Sequence, residues 1–322
     1  GADKSSIVMI FFSMTPPERK DYNRISPIGM LCISAIILFS LRYTINLYAS
    51  QKIWVNHTML LADVISDLVT FLDDKISDAP FTLAVSGGQG AGKSTMCKAL
   101  EDALLPKGQK TLTLSLDDFY HSKATRQMLA DTIHPLCATR GVPGTHDLTL
   151  MRQTLAALRK ADETSHTPIP RFSKSHDDRL SQRDWLIFEG RPNLIIIEGW
   201  CVGAEANFIA EYSPTDWESK HDPDGVWKRW AMAQADAYKD IWSARDALIL
   251  LRQKDFEQVI DSRWAQEQQN ARESGVWQFE NRDAVADFCA HYESWTKGIW
   301  EYLPNYADFH IYRDSNYVFS YL

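Results

Sequence analysis

The chain has 322 residues, and several features of other protein classes are scarce or missing in it. The five cysteines are widely scattered and no two form a CxxC pair, which argues against a zinc site and against a disulfide framework. We expect these thiols to be buried, in a reducing compartment. Basic residues are outnumbered by acidic ones, and the net charge of −8 argues against binding nucleic acid through its phosphates. No internal repeat or low-complexity tract is present.

One stretch, Phe81–Thr95, organises the rest of the sequence. It reads FTLAVSGGQGAGKST, a short apolar run followed by a glycine-rich loop and the start of a predicted helix. This is the G-x-x-x-x-G-K-[ST] motif in the strand–loop–helix context that it requires. Glycines allow consecutive backbone N–H groups to surround a polyphosphate, and the helix N-terminus adds its positive dipole end. The predicted nucleotide contacts are Gly87, Gly88, Gln89, Gly90, Ala91, Gly92, Lys93, Ser94 and Thr95.

The motif therefore predicts a protein that binds a nucleoside triphosphate, ATP in the first instance, together with Mg²⁺. Lys93 is predicted to reach the β- and γ-phosphates, and the Ser94 hydroxyl to ligate Mg²⁺. What happens to the γ-phosphate depends on residues elsewhere in the chain.

Carboxylates follow two further predicted strands. Asp117 comes after the run Thr111–Leu116, and Glu198 comes after Asn193–Ile197. Strands one crossover away from a phosphate loop end at the edge of the sheet where an open α/β protein builds its site. One such carboxylate can deprotonate an acceptor hydroxyl, and another can act at Mg²⁺. A solvated turn at Asp117 and a loop-capping role for Glu198 are the structural alternatives.

Two loops carry candidate acceptor-binding groups. The segment 134–147 is rich in Gly and Pro and contains Arg140, His146 and Asp147, and loops of this kind often hold binding groups. The segment 169–179 places three cations and a histidine within nine residues, including Arg171 and Lys174. On so acidic a chain, this second loop is predicted to contact an anion.

Strands alternate with helices along the chain and predict an α/β fold. Five strands are predicted, at 81–85, 111–116, 193–197, 247–251 and 307–312. Helices are predicted at 60–72, after Lys93, after Asp147, and at 226–245, 256–269 and 285–302. Such alternation requires a mostly parallel five-stranded sheet with helices on both faces, a three-layer α/β/α architecture.

Residues 1–58 do not resemble the rest, and 59–322 are predicted to form the catalytic domain. Residues 25–41 are seventeen uncharged, mostly apolar residues, at the short end for a membrane span. Export would remove an ATP-using domain from its ATP, so a cytoplasmic location is predicted. The alternatives for this segment are a membrane anchor, a helix packed on the domain, a poorly ordered extension, or residues upstream of a natural start at Met59.

Several motifs occur together and in order: GGQGAGKST, SLDDFY, HPL, RGVPGTHD, PRF-x-KS with a later DR, IIIEGW and RW-x-QE. Over about residues 60–320 this series resembles the D-glycerate 3-kinase family of the plant and fungal type. That family lies within the phosphoribulokinase, uridine kinase and pantothenate kinase group of P-loop NTPase-type proteins. The resemblance implies transfer of the γ-phosphoryl group of ATP to D-glycerate, giving 3-phosphoglycerate.

The resemblance also implies roles for individual positions. Asp117 matches the catalytic base of the wider group and Glu198 its Mg²⁺-associated glutamate, while Asp117 is also a candidate metal ligand. Arg263 and Arg272 fall in a helical lid that would close over the phosphates, with Arg263 assisting catalysis and Arg272 binding nucleotide. The positions where acceptor contacts are expected are Tyr120, Arg140, His146, Asp147, Arg171 and Lys174.

The chain departs from the family pattern at the acceptor loop. Ser173 stands where relatives have an acid, and the stretch before the final DR is shortened to 176–179. Two alternatives to glycerate phosphorylation are therefore a kinase of the same fold acting on a nucleoside, pantothenate or another sugar acid, and an ATP-binding regulatory protein without an acceptor. The sequence leaves the oligomeric state open.

Overall fold

The computed structural model describes residues 59–77 and 79–322. The predicted N-terminal extension, with the membrane anchor predicted at 25–41, lies outside the described residues. Within the described part, no helix is long and apolar enough to cross a membrane. The four cysteines found there, at 97, 137, 201 and 289, are free and buried, as predicted for scattered thiols.

A mostly parallel sheet forms the centre of the molecule. Its strands lie in the order β10-β9-β8-β1-β7-β2, and every neighbouring pair is parallel except β9 and β10. The strands of the described chain are β1 (Phe81–Gly87), β2 (Thr111–Ser115), β3 (His166–Ile169), β4 (Phe172–Ser173), β5 (Asp178–Arg179), β6 (Leu186–Glu189), β7 (Leu194–Gly199), β8 (Ala247–Arg252), β9 (Phe309–Arg313) and β10 (Phe319–Tyr321).

Helices cover both faces of this sheet. They are α1 (Leu61–Asp73), α2 (Lys93–Leu104), α3 (Lys123–Thr132), α4 (Leu148–Lys160), α5 (Asp216–His221), α6 (Val226–Ala235), α7 (Lys239–Ser243), α8 (Phe256–Ser274), α9 (Arg282–Ala290) and α10 (Glu293–Tyr302). Successive residues of β7 alternate between two separate cores: Ile195 and Ile197 belong to one, Leu194 and Ile196 to the other. The predicted three-layer α/β/α fold is thus confirmed.

The sequence predicted five strands, and the sheet has six. Each predicted strand is present, and the additional one, β10, pairs with β9 as an antiparallel edge strand. Three residues after a tight turn are too short a run to show a periodicity, so nothing in the sequence separated β10 from a loop.

Two predicted helices are interrupted. The helix predicted at 226–245 breaks between α6 and α7 at a 3₁₀ turn, Asp236–Tyr238. The helix predicted at 285–302 is divided into α9 and α10 near Tyr292, whose hydroxyl donates to the carbonyl oxygen of Arg140 over 2.8 Å. Because this tertiary contact fixes Tyr292, the apolar spacing that continues through it does not describe one straight helix.

The lid helix α8 is longer than predicted. It continues to Ser274 and ends at Gly275, which adopts a left-handed conformation with φ of 74°. Arg272, predicted in a turn after the helix, therefore lies in its last turn.

A short hairpin, β4–β5, is anchored to the rest of the domain by Arg126. This side chain is 1% exposed and donates to the carbonyl oxygens of His121, Ala138 and Asp177. It also pairs with the Asp177 carboxylate at 3.0 Å. One buried guanidinium thus connects α3, the loop before residue 140 and the hairpin that carries Lys174.

Candidate active site

The sequence from 81 to 95 folds as the motif predicts. Strand β1 ends at Gly87 and α2 begins at Lys93, with Gly92 as its N-cap residue at φ of 96°. The ammonium of Lys93 donates to the carbonyl oxygen of Gly88 over 3.1 Å, so it lies folded against its own loop. Six of the predicted residues line a cleft, namely Gln89, Gly90, Gly92, Lys93, Ser94 and Thr95. Ala91 is instead fully buried beneath them.

The loop packs closely against the lid helix. A Cβ atom at Gly90 would lie 2.6 Å from the Cβ of Ser262 and 2.7 Å from its backbone carbon. Gly90 also has a φ of 68°, which side-chain-bearing residues rarely adopt. Only glycine fits here, because both the conformation and the contact with α8 exclude a side chain.

The cleft holds about 570 Å³ and has oxygen donors suited to Mg²⁺. The Ser94 hydroxyl donates to Glu198 Oε1 over 3.2 Å, and Asp117 lines the same cleft. Among the described residues, no group of three or more His, Cys, Asp or Glu side chains could hold a metal ion by itself. A hydroxyl and two carboxylates nevertheless fit Mg²⁺, because that ion is usually bound by one or two carboxylates together with waters and substrate phosphates.

Asp117 lies in the 3₁₀ turn that follows β2, and its carboxylate meets Lys174 at 2.7 Å. Burial alone raises the pKa of Asp117, but the charges of Lys174 and Lys93 outweigh it and lower the pKa to about 2. The paired carboxylate in turn raises the pKa of Lys174. Asp117 is therefore an anion in contact with a cation at the wall of the cleft.

The adjacent carboxylate has a different role. Asp118 accepts a hydrogen bond from the backbone N–H of Phe172 over 3.0 Å and lies 3.5 Å from the Arg171 guanidinium. Burial raises the pKa of Asp118. It positions the β4–β5 hairpin, whereas Asp117 faces the cleft.

Three of the predicted acceptor residues line the cleft near Asp117, namely Tyr120, Arg140 and Lys174. The Arg140 guanidinium pairs with Asp177 and lies over the ring of Phe172, 5.5 Å from its centroid. Two cations and a phenol thus share the wall that carries Asp117.

The other three are absent from the cleft wall. His146 is buried, stacks on Tyr120 with ring centroids 4.4 Å apart, and places Nδ1 2.7 Å from the Tyr238 hydroxyl. Asp147 caps α4 and pairs with Arg179 at 3.1 Å, while Arg171 pairs with Asp118. These side chains contact neighbouring protein groups, and a direct contact with the acceptor stays a prediction for them.

His146 gives the first testable prediction, a pH dependence of stability. Burial lowers its pKa to about 3 from an ordinary 6.5. As the pH falls below 6.5 the unfolded chain takes up a proton that folded His146 does not, so the free energy of unfolding declines by up to about 1.4 kcal/mol per pH unit. His146→Gln cannot take up this proton, and we expect urea unfolding of the variant to depend less steeply on pH between 6.5 and 4.

The comparison at pH 8 serves as the reference for this experiment. At pH 8 histidine and glutamine are both neutral at position 146. The difference in the free energy of unfolding between variant and native protein then reports only the lost contacts with Tyr120 and Tyr238. Equal pH slopes for the two proteins below pH 6.5 would contradict the prediction.

The two predicted lid arginines differ in position. Arg263 lines the cleft, pairs with Glu267 at 3.2 Å and lies over the ring of Phe279 at 5.1 Å. Arg272 is exposed and is not part of the cleft wall, so its role in nucleotide binding stays a prediction.

The cleft also contains residues that sequence reasoning missed. They come from the lid helix, from the segment that follows it, from α9 and the residue before α10, and from the turn between β9 and β10, and include Ser262, Gln266, Gln269, Asn270, Gln278, Phe288, Tyr292 and Tyr317. Polar residues on an amphipathic helix give no sign of facing a ligand. Trp200, in contrast, belongs to the IIIEGW motif recognised in the sequence. Its indole N–H donates to the carbonyl oxygen of Gly141 over 3.0 Å.

Comparisons with known proteins agree with this geometry. The chain is 29% identical over 242 residues to the uncharacterized kinase mug58 of Schizosaccharomyces pombe, covering 71% of this chain and 85% of that protein. It is 27% identical to the chloroplastic D-glycerate 3-kinase of Arabidopsis thaliana, covering 75% of this chain but 54% of that enzyme. No family model matches.

A solved structure extends the comparison to the fold. The D-glycerate 3-kinase from Cryptococcus neoformans superposes with a TM-score of 0.59 at 21% identity, covering 81% of this chain and 96% of that one. The resemblance to the D-glycerate 3-kinases is therefore confirmed. The chain is an ATP-dependent phosphotransferase of the P-loop kinase type that acts on an alcohol group.

Proposed function

We propose that this kinase, a relative of the D-glycerate 3-kinases, phosphorylates a hydroxyl of a small carboxylic acid, with D-glycerate as the leading acceptor. The observation that carries the proposal is the wall around Asp117, where a carboxylate able to accept a proton stands beside Lys174 and Arg140. A guanidinium can bind a carboxylate through two parallel hydrogen bonds, which suits an acidic acceptor.

The proposed chemistry requires little covalent participation by the protein. Asp117 accepts the proton of the acceptor hydroxyl while the hydroxyl oxygen attacks the γ-phosphorus of ATP. The bond between the γ-phosphorus and the bridging oxygen breaks, and that oxygen leaves with ADP. Lys93 and Arg263, both in the cleft wall, offset the negative charge of the phosphates. Mg²⁺, held by Ser94, Glu198 and Asp117, would supply further charge neutralisation.

An acceptor larger than glycerate is the second candidate. Tyr120, Trp200, Phe288 and Tyr292 all line the cleft, so an acid with an apolar portion would also find contacts there. The aromatic residues therefore make a pantothenate-like acid the second candidate acceptor. A purely regulatory ATP-binding protein is less favoured, because it has no use for a base and two cations beside its phosphate loop.

Release of ADP across a panel of acceptors tests the proposal. The panel comprises D-glycerate, other hydroxy acids, pantothenate and nucleosides, each with Mg²⁺ and ATP. We expect turnover with D-glycerate well above the rate without acceptor. ADP release that ignores every compound would support the regulatory alternative, and turnover with neutral nucleosides alone would contradict the carboxylate assignment.

Arg140→Gln and Arg171→Gln distinguish two arginines that the sequence assigned to the same role. Only Arg140 lines the cleft, while Arg171 pairs with Asp118. Loss of a hydrogen bond to a charged group costs about 1.5–3 kcal/mol, so Arg140→Gln is expected to raise KM for the acidic acceptor roughly 10- to 100-fold. Steady-state kinetics should show a smaller effect for Arg171→Gln, and the reverse order would contradict the assignment.

A further inference from the structure

Tyr317 occupies an unusual position in the last turn of the molecule. It lies between β9 and β10, lines the cleft, and is 57% exposed. Its backbone is left-handed, with φ of 60°, and Asp177 is the other non-glycine residue with positive φ in the described chain.

The turn from Asp314 to Val318 is stabilised by hydrogen bonds of its own. Asp314 Oδ1 accepts hydrogen bonds from the N–H groups of Asn316 and Val318, and the Asp314 N–H donates to the carbonyl oxygen of Val318 over 2.9 Å. Glycine or asparagine would adopt the left-handed conformation at lower cost than a bulky tyrosine. A strained residue at the wall of a cleft calls for an explanation through function.

The ring is connected to the phosphate loop through two other residues. The Arg313 guanidinium lies 4.4 Å from the centre of the Tyr317 ring, is buried, and donates to the Ser262 hydroxyl over 2.7 Å. Ser262 is the residue that packs against Gly90. This chain of contacts joins Tyr317 to the loop through α8, and none of its members is an acceptor-side residue.

The same face of α8 continues with amides. Gln266, Gln269 and Asn270 lie four, seven and eight residues after Ser262, the spacing of one helix face, and all three line the cleft. Amide side chains carry both donors and acceptors, which suits the edge of a heterocyclic base.

We propose that the Tyr317 ring is the platform on which the nucleobase of ATP stacks, with the amide face of α8 beside it. Arg313 lies over the ring, and the Tyr317 side chain remains 57% exposed at the cleft. The assignment concerns nucleotide binding alone and does not depend on which acceptor is phosphorylated.

Calorimetric titration without any acceptor tests the proposal. The probes are Mg·ADP and magnesium tripolyphosphate, which has phosphates but no base. Stacking of a base on an aromatic side chain is strong enough that Tyr317→Ala should weaken Mg·ADP binding about tenfold. Tripolyphosphate affinity should stay within twofold, and Tyr317→Phe should bind Mg·ADP like the native protein.

Tyr317→Gly separates a stacking role from a purely structural one. Glycine relieves the backbone strain that alanine retains, so its thermal midpoint should lie a few degrees above that of Tyr317→Ala. Both variants lack the ring and should bind Mg·ADP equally weakly. Native affinity in Tyr317→Gly, or parallel losses for Mg·ADP and tripolyphosphate in Tyr317→Ala, would overturn the proposal.

Discussion

Asp117→Asn is expected to lower kcat by about a thousandfold, because proton transfer by a positioned base contributes 10²- to 10⁴-fold. The amide keeps the size of the side chain but cannot accept the proton of the acceptor hydroxyl. Single-turnover measurement of phosphoryl transfer at saturating ATP and acceptor isolates this step.

Asp118→Asn is the matched control for this experiment. Its Oδ1 can still accept the hydrogen bond from the Phe172 N–H, so kcat should stay within about tenfold of the native value. Titration with Mg·ADP then separates two roles of Asp117. Weaker Mg·ADP binding in Asp117→Asn would indicate a metal ligand, and unchanged turnover would rule out the base.

Lys93→Met is expected to lower kcat about 100- to 1,000-fold, the loss found when one preorganised charged or donor group is removed from a transition state. Methionine keeps the unbranched stem of the side chain and removes the ammonium of a residue that lines the cleft. Steady-state kinetics with the preferred acceptor measures the change.

Lys98→Met, on the same helix, provides the comparison. Lys98 is largely exposed and pairs with Asp102 at 2.7 Å. Such surface ion pairs contribute little to the stability of the folded protein. A Lys93→Met enzyme whose kcat lies within threefold of the Lys98→Met enzyme would contradict the assigned role of the phosphate-loop lysine.

The elements around the site were largely predictable because their signals are local. A glycine-rich loop between a strand and a helix specifies its own geometry, and the runs that end at Asp117 and Glu198 carry buried-strand composition. Parallel strands then bring their carboxyl ends to one edge, so the adjacency of Ser94, Glu198 and Asp117 follows from topology.

The other features of the site depend on tertiary contacts, which the local sequence does not reveal. His146 and Arg140 lie in one glycine-rich loop and looked equivalent, yet His146 is buried against Tyr120 and Tyr238 while Arg140 reaches the cleft. Tyr317 gave no signal, since a single tyrosine after the last predicted strand has no periodicity.

Ser173, which stands where the related kinases have an acid, makes its contacts within its own hairpin. Its hydroxyl lies 2.7 Å from His176 Nδ1 within the turn of the β4–β5 hairpin. The shortened segment thus closes on itself, and the cation that lines the cleft from this hairpin is Lys174.

The buried guanidinium of Arg126 has a consequence for acceptor affinity. Because it holds α3, the preceding loop and the β4–β5 hairpin through one set of hydrogen bonds, the backbone beneath Lys174 is organised before any acceptor arrives. We expect binding of the proposed acceptor to order side chains rather than a loop, which would avoid much of the conformational entropy loss that a mobile loop incurs. We therefore expect the proposed acceptor site to be preorganised.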